Sequence, residues 1–178
     1  MRIQTLAATL AIGCASALLL DAATARSAVA QPTDPIQKLE AVGVPVVLPS
    51  YVPTGFELTQ FRMDVGRFQS YNATYSSPDG CQISISGSDG GWGGPSFVPI
   101  ENVSTPLFGD IPLEKLDDNY ASADPNSLFS SAGSATGFQW GVLPGFPKAG
   151  YIFRFSCEDS AFSLDRASQI LESMEILE

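Results

Sequence analysis

The sequence contains no histidine. Ser-His-Asp and Cys-His nucleophilic sites need an imidazole to take the nucleophile's proton, so both are excluded. Zinc sites built on histidine go with them, and three cysteines in 178 residues are too few for a thiolate cage. Basic charge is also scarce: 9 Lys and Arg face 19 Asp and Glu, for a net charge of −10. That balance argues against nucleic acid and against anionic lipid surfaces as partners. A G-x-S-x-G elbow is missing, and Pro35, Pro112 and Gly145 stand three places before Lys38, Lys115 and Lys148, which removes a Ser-x-x-Lys site. There is no internal repeat, heptad run or low-complexity tract.

The one long apolar run lies at the N-terminus. Arg2 supplies a positive start, and Leu6 to Leu20 is apolar or small until Asp21 ends it. Such a run is shorter than the roughly 20 residues of a membrane span. Ser27-Ala28-Val29-Ala30 offers the small-x-small pattern cut by signal peptidases, which makes Gln31 the new N-terminus; a cut after Ala25 is the alternative. Ala11-Ile12-Gly13-Cys14 loosely resembles a lipobox, but the apolar run continues past Cys14, so an ordinary signal-sequence cysteine is preferred. Residues 1–30 are therefore read as a signal peptide and 31–178 as a single α+β domain, exported to the periplasm or beyond and without a stable membrane span after cleavage. Seven basic and eighteen acidic residues then remain, a balance of −11, and a soluble monomer is expected.

In an oxidising compartment, the two cysteines left, Cys81 and Cys157, have one possible pairing. Closing so long a loop is worth roughly 4 to 5 kcal/mol at most on the chain-entropy model. Each cysteine sits in phase with the apolar residues of a predicted strand, and no Cys-x-x-Cys spacing suggests redox work, so a buried structural staple is expected.

Periodicity predicts a mainly antiparallel sheet of about six to seven strands, with a short N-terminal helix and a C-terminal helix packed on it. Thr33 or Asp34 can cap the first helix, Pro35 fits its first turn, Ile36, Leu39 and Val42 form a stripe, and Gly43 ends it. Three prolines between Val44 and Pro53 favour extended backbone. Phe56 and Leu58 alternate, then Phe61 and Met63 in the opposite phase, which predicts a β-bulge near Thr59 and Gln60. Strands follow through Tyr71, Ala73 and Tyr75 and through Cys81, Ile83 and Ile85, joined by the turn Ser77-Pro78-Asp79-Gly80. Residues 97–116 read as one or two interrupted strands, and 117–134 as a polar loop with one helical turn near Asn126 to Phe129. Strands return at Phe138 to Val142 and Tyr151 to Cys157. In the closing helix Ser163 is the cap and Leu164, Ala167, Ile170, Leu171 and Met174 form one face.

The glycine-rich segment from Gly87 to Pro95 has no Lys, does not match G-x-G-x-x-G and precedes no helix, so it is not a phosphate loop. It does hold Trp92, a large amphipathic ring that glycines cannot bury locally; the preferred reading is structural, the ring folding back over the core while the glycines supply the unusual dihedrals, and the functional one is that it stacks on a sugar or anchors a partner. Trp92 with Asp89, Gly91 and Gly93 is the candidate binding site. Asp110, Glu114, Asp117, Asp118 and Asp124 cluster without the spacing of a calcium loop, so no metal and no cofactor is assigned. The sequons at Asn72 and Asn102 matter only in a eukaryotic secretory pathway.

Leu48-Pro49-Ser50-Tyr51-Val52-Pro53-Thr54-Gly55-Phe56, Asp79-Gly80-Cys81, Gly90 to Pro95 and Ala167 to Met174 together resemble uncharacterised exported domains of cyanobacteria. The first of these also resembles bacterial extracytoplasmic domains of unknown function that open with Pro-x-Tyr-x-Pro-x-Gly-[Tyr/Phe]. The resemblance implies an envelope location, with the thylakoid lumen added to the periplasm, and brings no active site. The expected function is a non-catalytic binding domain of the cell envelope, contacting an envelope protein or glycan. The alternatives are a carboxylate-dependent hydrolase of a cell-wall or extracellular glycan, marked by a groove with two carboxyl groups, and a lipid or lipoprotein carrier, marked by an apolar cavity under the C-terminal helix.

Overall fold

A computed structural model describes residues 44–65, 69–90, 96–117, 126–135 and 138–177. The expected helix over residues 33–43 lies outside them. The described elements run β1 (Val47–Pro49), β2 (Glu57–Val65), β3 (Gln69–Ser76), β4 (Cys81–Ser88), β5 (Phe97–Thr105), β6 (Gly109–Leu116), β7 (Leu128–Ala135), β8 (Phe138–Trp140), β9 (Gly150–Cys157), α1 (Leu164–Glu172) and β10 (Met174–Ile176). The large sheet has seven strands in the order β2-β3-β4-β9-β7-β6-β5, with β8 paired only along β7; β1 and β10 form a separate two-stranded sheet. Every described pairing is antiparallel.

The alternating residues of β3, β4 and β9 place one file of large side chains on the same face. Tyr71, Tyr75, Ile83, Ile85, Tyr151, Phe153 and Phe155 are each no more than 2% exposed. Removing each such side chain from water contributes about 1.5–3 kcal/mol. Ala167, Ile170 and Leu171 of α1, and Val44 to Leu48 around β1, join the same core. Phe162 closes the gap, with its ring 5.4 Å from that of Phe155 and 6.2 Å from that of Phe56. The register shift between Leu58 and Gln60 is the bulge that the phase change at Thr59 predicts.

The disulfide joins residues directly opposite each other, since Cys81 and Cys157 are register partners of β4 and β9, with Cα atoms 3.9 Å apart. Both are buried. A disulfide of this kind is consistent with an oxidising, exported compartment.

Three expectations are corrected. Residues 128 and 129 are not a helical turn but the start of β7, whose two edges are held by β9 on one side and by β6 and then β8 on the other. The seven-strand path of the large sheet meets the expected six to seven strands, and the three-residue pieces β1, β8 and β10 lie outside it. Met174 fits the helical spacing but belongs to β10, because Ser173 caps α1 and donates its backbone N–H back to Ile170 and Leu171. Leu164 is exposed at the first turn of α1 rather than on its buried face.

Pro112 lies inside β6 instead of breaking it. β6 pairs with β7 only at Leu113 and Glu114, so the proline, which has no N–H to give, stands where that ladder stops. β8 takes over the edge of β7 from Gly133 onward.

Candidate functional site

Of the candidate residues Asp89, Gly91, Trp92 and Gly93, the last three lie outside the described residues. Asp89 is tied to the fold: its carboxylate accepts the Gln69 N–H at 2.9 Å, and its own N–H donates to the Gln69 carbonyl at 3.1 Å. One residue on, Gly90 donates its N–H to the Ser88 hydroxyl at 3.0 Å. Asp89 therefore closes the β3–β4 ladder and anchors the base of the glycine-rich segment.

The acidic cluster does not come together as a cation site. Asp118 and Asp124 lie outside the described residues, and no group of three metal-capable side chains forms among the described ones. Glu114 is half-buried on β6, and loss of water around it pushes its carboxyl above the usual range. Asp79 is held below that range, chiefly by a hydrogen bond from the Ser77 hydroxyl.

The sheet face turned away from the core is rich in hydroxyls. Asn72 donates its amide to Ser84 at 3.1 Å and to Ser86 at 2.8 Å, and accepts from Thr74 at 3.2 Å. The same face carries Phe129, 5.1 Å from Phe97 between ring centres and 5.7 Å from the Arg154 guanidinium. These groups largely satisfy one another.

A different arrangement forms where the Pro-x-Tyr-x-Pro opening meets the end of α1. Ser50 donates both its N–H, at 2.9 Å, and its hydroxyl, at 3.0 Å, to the Ser173 carbonyl. The Ser173 hydroxyl in turn lies 3.3 Å from both the N–H and the carbonyl of Tyr51. The Tyr51 N–H is thereby tied to the Ser173 hydroxyl, whose single proton is shared between the Ile170 carbonyl at 2.8 Å and the Tyr51 carbonyl at 3.3 Å, and Pro49 and Pro53 fix φ two residues to either side. The ring is left 45% exposed. It lines a shallow surface depression of about 340 Å³ with Gln169, Glu172 and Ser173. An aromatic ring, a carboxylate, a carboxamide and a hydroxyl converge there on rigid backbone.

Composition alone does not select these residues. Their signal is an aromatic residue set between two prolines, whose partners on α1 lie more than a hundred positions away. Among the described residues the depression holds one carboxylate, Glu172, and not the carboxyl pair that glycoside hydrolysis needs. Beneath α1, Ala167, Ile170 and Leu171 are fully buried against the core. No described helix is long and apolar enough to cross a membrane. In comparison with known proteins, no family model, curated protein or solved structure matches the chain.

Proposed function

We propose that the protein is a non-catalytic binding domain exported to the cell envelope, in the periplasm, outside the cell or in a thylakoid lumen, and that it contacts an envelope partner through the rigidly presented Tyr51 surface. The observation that carries this reading is the hold on Tyr51, whose N–H donates to the Ser173 hydroxyl while prolines stand two residues to either side. An exposed aromatic ring on an immobilised backbone loses little conformational freedom on binding, which is the property of interface anchors. The missing histidines and the one carboxylate among the described residues of the depression support binding over catalysis. The Trp92 segment, with Asp89, Gly91 and Gly93, is a second contact in the same reading.

The test is cross-linking of the tagged, secreted protein in its host's envelope fraction, followed by mass spectrometry. Tyr51→Ala and Trp92→Ala should each reduce a specific cross-linked partner while the melting temperature stays unchanged. Loss of stability with the same set of partners would sink the proposal.

A further inference from the structure

We infer that the Tyr51 depression receives the side chain of an arginine on a partner protein; this rests on the binding reading above and names the chemistry of its partner. Two sources of negative potential meet at the site. The carboxylate of Glu172 lines it. The depression sits at the C-terminal end of α1, where the helix dipole is negative. Helices commonly place a lysine or arginine in that last turn, but α1 has no basic residue there, and none of the described lining residues is basic. The third element is the exposed Tyr51 ring, whose face attracts a cation and most readily stacks a guanidinium plane.

The acceptor set favours arginine over other cations. Glu172 can take a forked pair of N–H bonds, and the Gln169 side-chain carbonyl offers a further acceptor. Ser173 is already engaged with Tyr51 and with the Ile170 carbonyl at 2.8 Å, so it holds the frame. A free small molecule is a poorer match, because small-ligand sites bury most of the ligand and this one is open on its outer side. A side chain delivered on a larger surface needs no such enclosure. The chain's net charge of −10 acts in the same sense at longer range, drawing in basic surfaces and raising their encounter rate.

The experiment is a titration of the disulfide-bonded, secreted, 15N-labelled protein with the peptide acetyl-Gly-Gly-Arg-Gly-Gly-amide, followed by amide chemical shifts. Matched peptides carry lysine or the uncharged arginine isostere citrulline, and a chitin tetrasaccharide serves as the neutral sugar. The arginine peptide should move the signals of Tyr51, Gln169, Glu172 and Ser173, and citrulline should bind about tenfold more weakly. Tyr51→Ala and Glu172→Gln should each weaken the arginine peptide about two- to fivefold, from the worth of an exposed cation–π contact and an exposed ion pair. Glu172→Lys should abolish the response. Both positions are exposed, and unchanged spectra elsewhere would establish that each variant is folded.

Equal response to arginine and citrulline, or a response to the sugar alone, would overturn the inference. So would indifference of the arginine peptide to Glu172→Lys. If Tyr51→Ala removes the cross-linked partner but the arginine peptide does not bind, only the assignment of arginine falls. If neither Tyr51→Ala nor Trp92→Ala alters the partners, the binding reading itself falls.

Discussion

The hydroxyl of Tyr71 accepts the N–H of Val47 at 2.8 Å and donates to the carbonyl of the same residue at 2.9 Å. One phenol thus does for Val47 what a neighbouring strand would do. Tyr151 acts similarly nearby, donating to the Pro45 carbonyl at 3.0 Å. Between them, two side chains of the large sheet hold the buried segment 44–48 over the core.

Removing these hydroxyls should therefore cost unequal amounts. Tyr71→Phe leaves a buried N–H and a buried carbonyl without their partner, and should destabilise the fold by about 2–4 kcal/mol. Tyr151→Phe orphans one carbonyl and should cost about 1–2 kcal/mol. Urea unfolding of the two variants checks the order; equal losses would show that the paired bonds to Val47 are not what holds the segment.

The same tyrosines fix a glycine. A Cβ on Gly87 would collide with the Tyr71 ring and stand 3.0 Å from the Tyr151 ring. Gly87→Ala should thus destabilise by about 1–3 kcal/mol through overpacking. Gly145, with φ at +86° and open space around it, is the control, since Gly145→Ala meets only the backbone cost of about 1–2 kcal/mol. The distinguishing readout is the near-ultraviolet circular dichroism of the tyrosines, which Gly87→Ala should change and Gly145→Ala should not.

Alkaline titration should reveal the buried phenols. Loss of water raises Tyr71 and Tyr151 well above 10, and pushes Tyr75 up to about 12. In the unfolded chain the same groups ionise near pH 10. Above that pH the folded state therefore holds more protons than the unfolded one, so stability falls as pH rises. Absorbance at 295 nm should show these tyrosines ionising together with unfolding. Their ionisation with the core intact would contradict the burial.

Replacing Cys81 and Cys157 together by alanine should lower stability by about 2–4 kcal/mol, because the bridge spans 76 positions of sequence and constrains the unfolded chain. Thermal unfolding of this variant should match that of the reduced native protein. A larger loss on reduction than on substitution would point to the free thiols as the damaging groups.

What was legible in the sequence follows from side-chain pattern. β3, β4 and β9 carry large residues at every second position and are bounded by Pro-Asp-Gly or cysteine, so their faces and the disulfide could be read directly. β7 could not, because Ser130, Ser131, Ala132, Gly133 and Ser134 have little strand preference and are extended where β9 pairs with Leu128 to Gly133 on one side and β6 at Ser130 and β8 from Gly133 on the other. The boundary between α1 and β10 was hidden because Met174 continues the helical stripe while the Ser173 cap ends the helix. The Tyr51 site was half legible: the prolines announce a stiff extended segment around an aromatic ring, but Ser173 lies 122 positions away and only the fold brings it there.

That distance has a kinetic side. β1 finds its strand partner in β10, Val47 opposite Ile176, so one of the first described strands waits for the last. During synthesis the small sheet cannot close until residues 174–176 have emerged, and until then Val44 to Leu48 lack half of their cover. Pairings between such distant segments form slowly, since the chain must surrender the freedom of the whole intervening loop before any contact compensates. The small sheet should accordingly be among the last parts of the fold to close, since β1 has no strand partner until residues 174–176 reach it.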